Sequence, residues 1–279
     1  MSRPDSQNLI RRLLTAAVLL PLVFGAIALF PQRGPWILAA ILCVLGMSEA
    51  RTLLGRVSLL ASHVSFLPGM ALFFEMAGTP GGDGTFPIFG LPIIAVVAAA
   101  LVAVLRADRL GVSVLTAEGA GALSGLLIGL GAGSFAALAA LPPIEDGTAR
   151  IALLLSVVIA SDVSAYFVGR ALGRHKLLPQ VSPGKTVEGA LGGLLGAGLA
   201  SALVGVQLFK DQPLGLIVTI GVLVAIAGIV GDLLESLFKR YVGAKDSGTL
   251  FPGHGGALDR MDAFVLAAPL LYAFFRTVS

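Results

Sequence analysis

Residues 213–235 read PLGLIVTIGVLVAIAGIVGDLLE, and this stretch decides the fold. It is apolar from Leu214 to Val230 apart from Thr219 and three glycines, and then meets Asp232. A helix rises about 1.5 Å per residue, so a run of about 20 apolar residues crosses the hydrocarbon core of a bilayer. Only helices and closed barrels satisfy their backbone there, and a barrel strand alternates apolar and polar residues in segments of about 10. That alternation is missing here. The same reading along the rest of the chain gives nine spans, at 13–31, 34–54, 57–77, 88–105, 119–141, 149–170, 187–209, 213–235 and 262–278. The expected fold is therefore all-α, a polytopic integral membrane protein of about nine transmembrane helices. Residues 1–141 hold five spans, and residues 142–279 hold four spans with two polar loops.

Composition agrees with that reading. Of 279 residues 56% are hydrophobic and 13% charged, against about 25% charged in a soluble domain. Mean hydropathy is +0.94. These values exclude a disordered chain and an ordinary soluble enzyme, and a lone cysteine, Cys43, excludes a disulfide scaffold. The basic start with Arg3, Arg11 and Arg12 resembles a signal peptide. The apolar run that follows is longer than the roughly 7–15 residues of a signal core, so it reads as a retained helix. With the N-terminus in the cytosol, only Arg33, Arg150, Lys210 and Arg276 of the 19 basic residues fall outside. Cytosolic loops carry excess Lys and Arg, so this is the expected orientation. It places the polar loops 171–186 and 236–261 in the cytosol. The +3 net charge serves topology, and nothing in the sequence calls for nucleic acid.

Two ladders of small residues, Gly121-Gly125-Gly129-Gly133 and Gly189-Gly193-Ala197-Ser201-Gly205, recur at helical spacing. Such ladders let backbones approach closely in lipid, within one chain first and between two copies second. Acids inside lipid are costly and mark function. Glu49, Asp162 and Asp232 all fall in the cytosolic half of their spans, while Glu75 reads as interfacial. Glu49 is open to two readings, a functional carboxylate or a structural partner for Arg51.

Residues 231–262 read GDLLESLFKRYVGAKDSGTLFPGHGGALDRMD. Asp232, Ser236, Lys239 and Arg240 share one helical face where a span meets water, and Asp259 and Asp262 share another. The glycines between them, including Gly255 and Gly256, let backbone N–H groups approach a ligand. Carboxylates suit Mg²⁺, which takes one or two of them plus substrate phosphates. Lys239, Arg240, Lys245 and Arg260 suit phosphate charge. Zinc spacing, a Ser-His-Asp set and a Gly-x-Ser-x-Gly elbow are all missing. Phosphoryl or nucleotidyl transfer on Mg²⁺ is the chemistry these residues fit. The second loop, 173–189, reads GRHKLLPQVSPGKTVEG. Its Gly184-Lys185-Thr186 resembles the end of a P-loop, but the required earlier glycine is Pro179 and no strand is expected before it. Ser182, Lys185 and Thr186, at a turn entering a helix, remain a phosphate seat.

The string from Ser236 through Lys239, Arg240, Lys245, Asp246, His254, Gly255, Gly256, Asp259 and Arg260 to Asp262 resembles the signature of phosphatidate cytidylyltransferases, also called CDP-diacylglycerol synthases. A second stretch, Asp162, Ala165, Tyr166 and Gly169 followed by Lys176, Pro179, Ser182, Lys185, Thr186, Glu188 and Gly189, resembles the same family. The likeness covers residues 160–279; the first half matches only in being apolar. It implies transfer of CMP from CTP to phosphatidate, giving CDP-diacylglycerol and pyrophosphate. It also implies Mg²⁺ dependence, a second cation being open, and a homodimer. Separately, the Ala and Gly richness points to a bacterial plasma membrane, and the basic loops place the site on its cytoplasmic side. Asp232 and Asp259 are the expected cation ligands, with Asp162 contributing. Lys239, Arg240, Lys245 and Arg260 counter the charge of two anionic substrates. Ser236, His254, Gly255 and Gly256 contact phosphate or nucleotide. Asp246 and Asp262 either bind the cation or orient Lys245 and Arg260. The rivals are a secondary transporter, which would show related halves, and a CTP-dependent lipid kinase, which would release CDP.

Overall fold

A computed structural model describes residues 17–18, 21–31, 33–57, 59–78, 117–250 and 255–278. The helices are α1 (21–29), α2 (Arg33–Leu54), α3 (Leu59–Ala77), α4 (Ala117–Ala140), α5 (Gly147–Leu172), α6 (Val187–Leu208), α7 (Leu214–Tyr241), the short α8 (Leu258–Met261) and α9 (Phe264–Val278). Among the described residues, six segments are long and apolar enough to cross a membrane: Arg33–Leu54, Gly119–Ala140, Ile144–Leu172, Val187–Leu208, Leu214–Tyr241 and Leu258–Val278. The chain is thus a helical, polytopic membrane protein. The expected spans at 34–54, 57–77, 119–141, 149–170, 187–209, 213–235 and 262–278 each meet a helix. The span at 88–105 and residues 13–16 and 19–20 of the span at 13–31 lie outside the described residues. Glu75 is exposed near the end of α3.

Two features depart from the sequence-based expectation. Helix α7 does not stop at Glu235 but runs 28 residues to Tyr241. Its last two turns turn Glu235 and Lys239 toward each other as an ion pair, so the helix continues where the apolar run ends. Residues 176–186 are also not a simple turn. Lys176–Leu178 (β1) and Ser182–Thr186 (β2) pair as an antiparallel hairpin, in register Lys176↔Thr186 and Leu178↔Ser182. A strand therefore does precede Pro179. It belongs to a two-stranded hairpin, and Pro179 still stands where a P-loop needs glycine.

Both small-residue ladders pack inside the chain. Gly125 and Gly129 lie so close to Gly69 of α3 that a side chain at Gly69 or Gly129 would strike the facing backbone. Gly189 and Gly193 meet Ala165, Gly169 and Ser161 of α5 in the same way. One apolar core joins α4, α5, α7 and α9 around Leu138, Leu153, Leu154, Ile217 and Leu271. A second joins α2, α4 and α7 around Cys43, Met47, Leu54 and Ile128. The opposite face of α6 carries Leu191, Leu195, Leu199 and Leu203, each more than half exposed. Side chains spaced by four residues form one stripe, and apolar residues there match lipid.

Arg150 closes the turn between α4 and α5. It is 1% exposed. Its guanidinium donates to Leu141 O at 2.6 Å and Pro142 O at 3.1 Å, sits 3.6 Å from Asp146 and lies over the Phe275 ring. Losing a charged donor to buried carbonyls costs about 1–3 kcal/mol for each group left unpaired. Arg150→Met is therefore expected to lower stability by about 3 kcal/mol on that scale. Thermal unfolding in detergent measures it, and a midpoint equal to wild type would show that the clamp contributes nothing.

Candidate active site

The second half of α7 sets the site. Asp232 is three and four residues from Glu235 and Ser236, and these are four and three from Lys239, so the four rise along one side of the helix. Asp162 comes from α5, and Lys185 comes from β2. The hairpin carrying Lys185 is tied down at its base. Val187 N donates to His175 O at 2.9 Å. Glu188 accepts from Arg174 N at 3.0 Å and lies 2.6 Å from His175 Nδ1. Thr186 caps α6 by accepting from Gly189 N at 3.1 Å. These ties hold Lys185 over an open chamber of about 540 Å³. Ser161, Asp162, Tyr166, Arg170, Lys185, Thr186 and Asp232 are among its walls. Inside it, Lys185 Nζ is 2.5 Å from Asp232 Oδ2, and Ser236 Oγ donates to Asp232 Oδ1 at 3.4 Å.

A second set of bonds continues from the chamber. Lys239 Nζ donates to Asp259 Oδ1 at 2.7 Å and forms an ion pair with Glu235 Oε1 at 3.2 Å. Asp259 Oδ2 accepts from Gly256 N at 2.8 Å and from Ser247 N at 3.0 Å. The Ser247 hydroxyl lies 2.9 Å from Asp259 Oδ2 and 2.8 Å from Glu49 Oε2, so one proton serves two carboxylates. Glu49 also accepts from Ala257 N at 2.9 Å and Leu258 N at 3.0 Å. Asp262 links the two sets. Asp232, Arg260 and Asp162 are its charged neighbours, and it is in turn a neighbour of Glu235. The carboxylates thus form one acidic seam with lysines set into it.

Several expected residues meet in this arrangement. Asp162, Lys185, Thr186 and Asp232 share the chamber, and Ser236 touches Asp232. Asp259 does not line the chamber; its oxygens are held by Lys239, Ser247 and Gly256. Among the described residues, no three carboxylate, His or Cys side chains converge as a metal cage. The chamber instead offers two carboxylates, Asp162 and Asp232, and already holds an ammonium against one of them. That donor set fits Mg²⁺, which takes its remaining oxygens from substrate phosphates and water. Arg240 bonds backbone, with Nε to Val181 O and Nη1 to Ala244 O, each at 3.4 Å. Lys245, Asp246 and Arg260 are exposed, and Ser182 is half-buried in β2. Gly255 has φ +83°, a conformation glycine adopts readily, and places Gly256 N on Asp259. His254 lies outside the described residues.

Three residues were not assigned a site role from the sequence. Glu235 stood among the charged residues of 231–262, and its i, i+4 spacing to Lys239 was the signal. Ser247 carried none beyond its place in the glycine-rich loop. For Glu49 the sequence supports two readings, and its contacts hold the loop and the start of α8.

The described helices thus set two carboxylates and a lysine around one chamber, in a bundle apolar enough to cross a membrane. Residues 10–278 match the family model described as the cytidylyltransferase family, and the chain belongs to that family. It is 48% identical over 128 residues to a protein of Brucella abortus named phosphatidate cytidylyltransferase, covering 46% of this chain and 47% of that one. It is 43% identical over 127 residues to a Staphylococcus saprophyticus protein of the same name, covering 46% and 49%. It is also 41% identical over 133 residues to the uncharacterized protein YnbB of Escherichia coli, covering 48% and 44%. The chain thus aligns with about half the length of these curated relatives.

Proposed function

We propose that the protein is a phosphatidate cytidylyltransferase: a phosphate oxygen of phosphatidate attacks the α-phosphorus of CTP, CDP-diacylglycerol forms and pyrophosphate leaves. The observation that carries this reading is the chamber in which Lys185 meets Asp232 at 2.5 Å beside Asp162, in a chain matched to its family over residues 10–278. The proposal extends to nine spans, a cytosolic N-terminus, a bacterial plasma membrane, a chamber open to the cytoplasm and a homodimer. The excess of basic residues in loops on that side supports the orientation.

Asp232 and Asp162 would hold Mg²⁺ from the chamber wall, while Asp259, expected from the sequence as a cation ligand, is assigned instead to fixing Lys239 and the loop around Ser247 and Gly256. The bound ion supplies charge neutralisation for the α-phosphate and the leaving pyrophosphate. The chain's own residues do the rest. Lys185 and Thr186 seat the triphosphate, and Arg260 stands exposed near Asp162 and Asp262 to counter the lipid phosphate. The exposed Lys245 serves the same purpose from the loop. Two anionic substrates repel each other, and cations placed in advance lower that cost where the charge builds. The attacking phosphate is already anionic, so no strong general base is needed.

Product analysis tests the reading. Detergent-solubilised protein given CTP, phosphatidate and Mg²⁺ is expected to yield one pyrophosphate per CDP-diacylglycerol. Release of CDP with a newly phosphorylated lipid would assign it to the lipid kinases instead. CTP-independent solute uptake by sealed vesicles, without lipid product, would make it a transporter.

A further inference from the structure

The Lys185–Asp232 pair differs from the other lysine contact in the seam. Lys239 is clamped between two carboxylates, Asp259 and Glu235, and all three side chains are largely buried. Among the described residues Lys185 has one carboxylate partner, and the two side chains keep 27% and 31% of their surface exposed. Its backbone is fixed by the hairpin and by the cap of α6, while its four side-chain torsions are free to turn. The ammonium stands 2.5 Å from an oxygen that a divalent cation would need, and Asp162 beside it supplies a second negative charge. Two cations cannot share that oxygen without strong repulsion. A triphosphate entering the chamber offers Lys185 more negative charge than Asp232 does. A partly exposed ion pair of this kind is weak enough to exchange.

We propose that Lys185 is an internal counter-ion that occupies Asp232 until a polyphosphate draws it away, so that Asp232 opens to the divalent cation only as the nucleotide arrives. The hand-over rests on the chamber being a nucleotide site. It gives the site an order: nucleotide phosphate takes the lysine, and the freed carboxylate takes the ion.

The test uses the full chain in detergent and needs no turnover. Mn²⁺ binding is followed by electron paramagnetic resonance without nucleotide, and CTP binding by equilibrium dialysis in EDTA. Lys185→Met is expected to bind Mn²⁺ about tenfold more tightly than wild type and CTP about tenfold more weakly, on the scale of losing one close charge. Lys185→Arg is expected to keep the weak Mn²⁺ binding of wild type. Adding Asp232→Asn to Lys185→Met is expected to remove the gain. Arg170 lines the same chamber, but its Nη1 bonds the Tyr166 hydroxyl. Arg170→Met is therefore expected to raise Mn²⁺ affinity much less. Unchanged or weaker Mn²⁺ binding by Lys185→Met, or an equal gain in Arg170→Met, overturns the proposal. Unchanged CTP binding by Lys185→Met overturns the hand-over. If wild type forms no CDP-diacylglycerol while the Mn²⁺ results hold, the functional reading fails and the counter-ion role stands.

Discussion

Asp232→Asn is expected to lower CTP-dependent formation of CDP-diacylglycerol by about 10³-fold in kcat/KM, the scale of losing a principal electrostatic element of a site. Asparagine keeps the size of the side chain and one acceptor oxygen, so Ser236 retains its partner. The negative charge goes, and with it the grip on a divalent ion and on Lys185. The loss is not expected to come from unfolding. A partly exposed pair contributes about 0–1 kcal/mol to stability, so the thermal midpoint stays near that of wild type. Initial rates at limiting Mg²⁺ with varied CTP measure the effect. A rate near that of wild type at limiting Mg²⁺, with the variant folded, would remove Asp232 from the chemistry.

The parts of the molecule that lipid dictates were legible in the sequence. A bilayer core allows few solutions for a polar backbone, so the apolar run 187–209 marks a helix near its true ends, the run 213–235 marks the start of α7 but not its end at Tyr241, and a costly acid such as Asp232 or Asp162 stands out as a candidate position. The sequence reading puts both acids in the same half of their expected spans, and both line the chamber. The hairpin at 176–186 escaped it. Its strands are three and five residues long, too short for a period-two pattern, and Pro179 and Pro183 read as breaks. The setting of Asp259 also escaped. Spacing placed it on a face with Asp262, but its contacts come from Lys239, 20 residues away, and from Ser247 in a glycine-rich loop. Loops with several glycines have no periodicity from which such a bond can be read. Glu49 shows the same limit at longer range, since its partners stand 198 to 209 residues away. Local spacing offered only Arg51.

Glu49→Ala is expected to destabilise the fold by about 3 kcal/mol and to abolish most of the activity, on the scale of buried hydrogen bonds to a charged group. Ser247 Oγ, Ala257 N and Leu258 N all donate to this one carboxylate. Ala257 and Leu258 begin α8, where free N–H groups favour a negative charge. Ala257 N and Leu258 N lose this acceptor once the side chain is cut to a methyl group, while the Ser247 hydroxyl keeps Asp259. The bonds also join α2 to the loop that presents Gly256 N and Ser247 to Asp259. Without them Asp259 loses its own donors, and Lys239 loses a fixed partner. Glu49→Gln separates charge from shape. The amide keeps one acceptor oxygen but turns an NH₂ group toward N–H donors, so it is expected to recover part of the stability and little of the activity. Thermal unfolding in detergent, paired with initial rates, reads both effects. An alanine variant as stable and as active as wild type would mean that the loop holds Asp259 without α2, and that the bonds from Glu49 follow the site's geometry instead of setting it.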